Sequence, residues 1–304
     1  MGPGVEFDAV RQMLERWGPR AVGIGDDAAV MRVARGDSLV VSVDTMVEGK
    51  HFLHGWLTPR EIGYRAVAAA LSDLAAMAAR PTGVLVAITL PKTWRDSLIE
   101  IADGIGEMVD RARTCIRGGN LSDGGEFSIT TTVLGESFAP LTRRGARAGE
   151  RVYLTGRLGA PGAAVALLYA GQSPGAFRDR FARPTPRLAE AQWLADHGAS
   201  AAVDVSDGLV ADAGHLAAAS GADIVLDAHR VPLVDGVEIG AALESGEEYE
   251  LVVTSPFAFD VVAFEGRFGI PLTEIGRVTD GRDGRVEVSG LRVANARGYD
   301  HLSR

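Results

Sequence analysis

The decisive stretch runs from Gly23 to Phe52 and reads GIGDDAAVMRVARGDSLVVSVDTMVEGKHF. It sets Asp26 and Asp27 side by side in a glycine turn. An apolar run from Ser38 to Val43 then delivers Asp44 and Thr45, and Glu48, Gly49 and His51 follow. Unpaired buried carboxylates are costly, so a cluster of them at strand ends is normally held together by a cation. The stretch is therefore expected to form a magnesium and phosphate site. GIGDDA fits the pattern G-x-G-x-x-A only on paper. Its two acidic residues would repel a pyrophosphate, and a loop and a strand follow where a Rossmann unit needs a helix. GARAGERVYLTG lacks the Gly-Lys-Ser/Thr of a Walker A loop.

The 304 residues leave room for two domains, and 46% hydrophobic with 23% charged residues describes a globular protein. No apolar run approaches the roughly 18 to 20 residues of a membrane span. The N-terminus, MGPGVEFDAVRQ, lacks a signal-peptide layout, so a cytoplasmic protein with no membrane partner is expected. A net charge of −9 argues against nucleic acid as a partner but not against small anions bound through cations. The single cysteine, Cys115, excludes an internal disulfide and a thiolate zinc site, and reads as a half-buried filler.

Apolar spacing predicts an amphipathic helix from Glu6 to Trp17, a long helix opened by Pro59, and a third helix over about Trp94 to Thr114. VLVAITLP and FSITTTVLGE read as strands. Proline, glycine and arginine gather between Ser137 and Glu150, which places a boundary between domains 1–142 and 143–304. The second half reads as strand RVYLTG, a glycine turn into a helix, a helix from about Pro186, strand AAVDVSDG, helix LVADAGHLAAASG and strand ADIVLDA. A turn at GEEYEL, strand LVVTS and short terminal strands complete it.

Several residues could carry chemistry. Asp73 falls on the small-residue face of the long helix, where it is either a structural aspartate bonded to a neighbour or a metal ligand. In Asp204-Val205-Ser206-Asp207-Gly208, strand alternation puts Asp204 and Ser206 on one side. Asp207 is either a helix N-cap or a ligand. Glu247, Glu248 and Glu250 of GEEYEL would, taken alone, form a solvated face. His51 is placed to reach a ligand held by its loop, whereas His54, His197, His215, His229 and His301 read as surface or capping residues. No Ser-His-Asp or Cys-His arrangement is evident.

Together these segments resemble the PurM-like ATP-binding superfamily and, within it, the thiamine-monophosphate kinase family. The likeness spans EFDAV, GIGDDAAV, VDTMVEGKHF, GYRAVAAALSDLAAM, the GG turn before SITTTVLGE, RRGARAGERVYLTGRLG, AAVDVSDGL, GEEYEL and GYDHL. It implies an α+β fold of two domains: a mixed-sheet N-terminal domain that forms a homodimer, and an α/β-sandwich C-terminal domain that covers the nucleotide. It implies Asp26, Asp27, Ser42, Asp44, Thr45, Asp73, Asn120, Asp204 and Asp207 as magnesium ligands, with Asp44, Asp73, Asn120 and Asp207 nearest the reaction. Gly119, Asn120, Arg143 and Ser206 would contact ATP, and His51, Glu247, Glu248 and Tyr299 the thiamine monophosphate. The two acidic strand ends would then serve one site. The implied reaction converts ATP and thiamine monophosphate to ADP and thiamine diphosphate by in-line phosphoryl transfer.

Two positions depart from the pattern. Gly118-Gly119-Asn120-Leu121 stands where the family has GGDT or GGDL, which removes a charge from a metal ligand; Asp123 could compensate. GEEYEL replaces GEDYEL and so lengthens residue 248. The asparagine leaves two other readings open: a relative that phosphorylates an amide or carbonyl oxygen, and a nucleotide-binding homologue impaired in catalysis.

Overall fold

A computed structural model describes residues 12–21, 37–281 and 283–291. Asp26, Asp27, Tyr299 and His301 lie outside the described residues, as does the start of the first expected helix, of which 12–17 are helical. The chain divides into two compact units, Met1–Leu74 with Ala79–Ala139, and Ala75–Ala78 with Pro140–Arg304.

The first unit is built on a four-stranded sheet of β1 (Ser38–Val47), β2 (Arg80–Leu90), β3 (Ile116–Asp123) and β4 (Ser128–Ser137), in the order β1-β4-β2-β3. β4 runs antiparallel to both β1 and β2, while β3 is parallel to β2. The Pro59–Ala76 helix opens with a capping box: Thr58 N–H donates to Glu61 Oε2 at 2.8 Å, and Glu61 N–H returns to Thr58 Oγ1 at 3.3 Å. It buries Ile62, Val67, Leu71 and Leu74 and crosses the Leu98–Arg111 helix at two glycines. A Cβ on Gly63 would lie 2.0 Å from the Ile101 carbonyl oxygen, and one on Gly104 would lie 1.8 Å from that of Arg60.

Paired residues in a sheet share a face. Asp44, Thr131, Val86 and Gly119 form one row, on the side where the Pro59–Ala76 helix packs. Thr45, Thr130, Ala87 and Asn120 form the next row, on the opposite side. On β1 that opposite side also carries Leu39, Val41 and Val43, which are 49%, 54% and 62% exposed.

The second unit has a six-stranded sheet in the order β10-β7-β9-β5-β8-β6. Its strands are β5 (Arg151–Thr155), β6 (Ala201–Asp204), β7 (Asp223–Asp227), β8 (Leu251–Ser255), β9 (Leu272–Thr279) and β10 (Val286–Ser289). Alternation splits the core into two layers. Val152 and Leu154 pack with Val203, Leu209, Leu216 and Ile275 on one face. Tyr153 packs with Trp193, Leu194, Val253 and Phe264 on the other. Helices Leu209–Ser220 and Leu188–Asp196 thus flank the sheet on opposite sides.

The expected strand AAVDVSDG ends early, at Asp204, because the backbone beyond it turns its N–H groups toward Asp212. Asp207 is not the N-cap of the following helix. That position is Gly208, whose φ of +118° suits glycine. Among the described residues no helix is long and apolar enough to cross a membrane.

Candidate functional site

In the first unit, β1 and the Pro59–Ala76 helix bring three oxygen-bearing side chains to one face. Ser42 Oγ–H donates to Asp73 Oδ2, and Asp44 follows two residues along the same side of the strand. Asp44 is exposed, and its Oδ1 accepts the Thr45 N–H at 2.8 Å. The donors are carboxylate and hydroxyl oxygens without histidine or thiolate, the chemistry that suits a hard cation such as magnesium. Thr45 points the other way, with its Oγ1 2.9 Å from that of Thr130.

Asn120 is exposed on the same open face as Thr45, three strands away from β1, or about 14 Å at the usual spacing of about 4.8 Å. Asp123 lies three residues along β3 on the opposite side from Asn120, the side that also carries Asp44, and pairs with Arg95 at 3.0 Å. Gly119 has a packing reason to be glycine, since a Cβ would sit 2.0 Å from the Val86 carbonyl oxygen.

The loop after β1 orients His51. Val47 N–H donates to His51 Nδ1 at 3.1 Å, so the neutral ring carries its proton on Nε2. Glu48 is held by Trp94 Nε1–H at 2.8 Å, and its other oxygen lies 3.1 Å from His54 Nδ1.

In the second unit, β6 ends at the buried Asp204, and residues 205–208 form a tight turn. The GEEYEL segment is bonded directly to it. Glu247 N–H donates to Ser206 O at 2.7 Å, Tyr249 N–H to Val205 O at 2.9 Å, and Val205 N–H to Glu250 O at 2.8 Å. Arg143 lies at the far end of the following helix, where Ser220 Oγ–H donates to its carbonyl oxygen at 2.8 Å.

GEEYEL is not a solvated face: Glu248 and Glu250 are 3% and 0% exposed. Glu250 receives Arg187 Nε–H and Nη2–H at 2.7 and 2.5 Å, Arg180 Nη2–H at 2.7 Å and Thr155 Oγ1–H at 2.8 Å. Burial pushes its carboxyl up, and Arg187 and Arg180 outweigh that, holding it below the usual carboxylate range. Glu248 Oε1 accepts Ser245 Oγ–H at 2.6 Å and Gly159 N–H at 2.5 Å. Its Oε2 has no hydrogen-bond partner among the described residues, and Arg180 Nη2 stands 3.7 Å away. Burial pushes the Glu248 carboxyl up to about 7 against those two hydrogen bonds.

Sequence reasoning missed Asp212 and His215. Ligand atoms of Asp207, Asp212 and His215 lie within 4.8 Å of one another. Burial, with Asp204 and Asp207 nearby, pushes Asp212 up to about 7 against hydrogen bonds from the Asp207 and Ser206 backbone. The available signal was the spacing of Asp212 and His215, which share a helix face three residues apart.

Two mixed sheets flanked by helices, each carrying carboxylates, are the frame of an AIR synthase related protein, the class to which the family models assign this chain. The model of the N-terminal domain of that family matches residues 25–137, and that of its C-terminal domain matches residues 147–289. The thiamine-monophosphate kinase of Salmonella typhimurium is 36% identical over 303 residues, covering 92% of each chain. The chain belongs to the thiamine-monophosphate kinase family. The crystal structure of the kinase from Stenotrophomonas maltophilia superposes with a TM-score of 0.84 at 33% identity, covering 94% of this chain and 97% of that one. AaThiL complexed with AMPPCP and TMP gives a TM-score of 0.79 at 30% identity, covering 97% of this chain and 96% of that one. The fold is α+β and PurM-like.

Proposed function

We propose that this chain transfers the γ-phosphoryl group of ATP to thiamine monophosphate, giving ADP and thiamine diphosphate. The observation that carries the reading, in a chain of this family, is an oxygen-only set in each unit: Ser42 and Asp44 on β1 with Asp73 on the facing helix in one, and Asp204, Ser206 and Asp207 at the end of β6 in the other. The acceptor is already an anion, so the reaction needs no strong general base. It needs charge neutralisation and alignment of two phosphates. Bound magnesium would supply the neutralisation. In the first unit Ser42, Asp44 and Asp73 would hold magnesium, and in the second Asp204 and Asp207 would do so; Asp26 and Asp27, and Thr45 and Asn120 on the other face of the first sheet, are assigned as ligands by resemblance alone.

The side chains contribute positioning. His51, its ring oriented by the Val47 N–H, is assigned to the thiamine monophosphate by resemblance. Glu247, assigned to the acceptor by resemblance, sits on a turn bonded to Ser206, and Glu248 braces that turn from within. Gly119, Asn120, Ser206 and Arg143 are assigned to ATP and Tyr299 to the thiamine phosphate, by resemblance.

The same reading makes the protein a cytoplasmic homodimer joined through the four-stranded sheet. Leu39, Val41 and Val43 support it, because an exposed apolar stripe on an edge strand is normally covered. Incubation with ATP, magnesium and thiamine monophosphate, followed by product identification, tests the activity. Thiamine diphosphate is the expected product, and its absence above background overturns the reading.

A further inference from the structure

Asp212 lies on the Leu209–Ser220 helix, five residues beyond Asp207, and is 1% exposed. Its Oδ2 accepts three successive backbone N–H groups, those of Ser206 at 2.9 Å, Asp207 at 3.0 Å and Gly208 at 3.1 Å. Consecutive N–H groups converging on one point make a nest, a concavity that binds anions and in many proteins takes a phosphate. Here the anion is the chain's own carboxylate.

The Val205 N–H and the carbonyl oxygens of Val205, Ser206 and Gly208 are also in use. Ser206 O accepts from Glu247, Val205 O accepts from Tyr249, Val205 N–H donates to Glu250 O, and Gly208 O accepts from Asp212 N–H at 3.0 Å. The side chains of Ser206 and Asp207 are spared: among the described residues neither makes a hydrogen bond. With all four N–H groups of the turn consumed inward, what it offers a ligand is oxygen, foremost the Ser206 hydroxyl and the Asp207 carboxylate. Its chemistry is thereby set for a cation, and a phosphate would find no free N–H group in it.

We propose that Asp212 is a positioning residue for nucleotide binding. By filling the nest it fixes the turn in the form in which Asp204, Ser206 and Asp207 hold magnesium and ATP. This inference rests on the reading of the turn given under the proposed function. Two rival roles make different predictions. A direct metal ligand would be damaged by Asp212→Asn almost as much as by Asp212→Ala. A residue needed only for folding would lower stability without changing the magnesium requirement of nucleotide binding.

The test is calorimetric binding of ATP to the full-length protein at a series of magnesium concentrations, with a thermal melt of each variant taken without metal. Asp212→Asn keeps an oxygen that can accept the three N–H groups, and is expected to bind magnesium and ATP within about threefold of wild type. Asp212→Ala empties the nest and is expected to need roughly 10- to 100-fold more magnesium, the usual loss when an outer partner of a metal ligand is removed. Asp212→Ser, which reaches at most part of the nest, should fall between them and replaces alanine if that variant does not fold. Equal magnesium dependence in all folded variants overturns the proposal, as does a parallel loss in the asparagine variant. Failure of both the alanine and serine variants to fold assigns Asp212 to folding alone and also overturns it. If wild type itself binds no ATP with magnesium, it is the proposed function that fails.

Discussion

The backbone N–H of Glu247 donates to the carbonyl oxygen of Ser206 at 2.7 Å, the shortest of three backbone hydrogen bonds that tie the GEEYEL turn to the turn that ends β6. Glu247 and Tyr249 hold φ values of +58° and +54°, in the left-handed region that costs a non-glycine residue about 1–2 kcal/mol. The segment keeps that shape because the buried carboxylates of Glu248 and Glu250 anchor it from below. Arg187→Met should therefore leave Glu250 with too little compensating charge and destabilise the second unit by about 3–5 kcal/mol, the usual result of breaking a buried ion pair. Urea denaturation measures this, and a loss under about 1 kcal/mol would show that Arg180 alone satisfies Glu250.

Glu248 should leave a pH signature on stability. Its folded carboxyl is raised to about 7 from an ordinary 4.5, so between those values the folded state binds more protons than the unfolded state. Stability from this group is then full at low pH and declines as pH rises toward about 7, by at most about 1.4 kcal/mol per pH unit. Asp212 adds a slope of the same sign. Glu248→Gln should remove its own share, flattening the urea midpoint between about pH 5 and pH 7 without abolishing the trend. An unchanged slope would mean that Glu248 ionises normally in the folded protein.

The helix crossing in the first unit leaves no room for a methyl group. A Cβ on Gly104 would stand 1.8 Å from the Arg60 carbonyl oxygen, an atom of the facing backbone that cannot rotate away. Gly104→Ala should force the Pro59–Ala76 and Leu98–Arg111 helices apart and cost about 1–3 kcal/mol or more, despite alanine's better helix propensity. A thermal melt that stays at the wild-type midpoint would refute the tight crossing.

These features differ in how far the sequence disclosed them. The Pro59–Ala76 helix was legible because Pro59 and the apolar spacing act locally; β1, expected to end at Val43 and present Asp44 at its end, instead continues to Val47 and carries Asp44 within it. Glu250 misleads because its partners Arg187 and Arg180 stand 63 and 70 residues away, and nothing near GEEYEL announces them. Asp204 to Ser206 resembles a strand by alternation, yet the pull of Asp212 on three N–H groups ends it. The face taken by Asn120 depends on a one-residue slip: Val84 pairs with Ile116 but Leu85 pairs with Gly118, which moves every later side chain of β3 to the other side. No periodicity in the chain encodes that slip.

The exposed stripe on β1 predicts the assembly. Val41 and Val43 are more than half exposed on an edge strand, which is the arrangement that proteins cover or charge. In the proposed homodimer, Val41→Lys with Val43→Lys would bury like charges and should yield monomers of 32.0 kDa with unchanged circular dichroism. Sedimentation velocity distinguishes the outcomes. A variant that remains dimeric would move the interface elsewhere, and a monomeric wild type would remove it.

Asn120 is the position at which one atom separates this chain from its family pattern. It is exposed on the open face of the sheet, so Asn120→Asp should change stability by no more than about 0.5 kcal/mol. Its effect should fall on magnesium. A neutral amide oxygen is a weaker partner for a hard cation than a carboxylate. If residue 120 meets the metal in the working enzyme, Asn120→Asp should lower the magnesium concentration for half-maximal turnover by about tenfold, the low end of effects at metal sites. The KM for thiamine monophosphate should stay as it was. Steady-state rates over a magnesium titration read both quantities. A variant with wild-type magnesium dependence would place residue 120 away from the metal, and the asparagine would then carry no catalytic penalty in this chain.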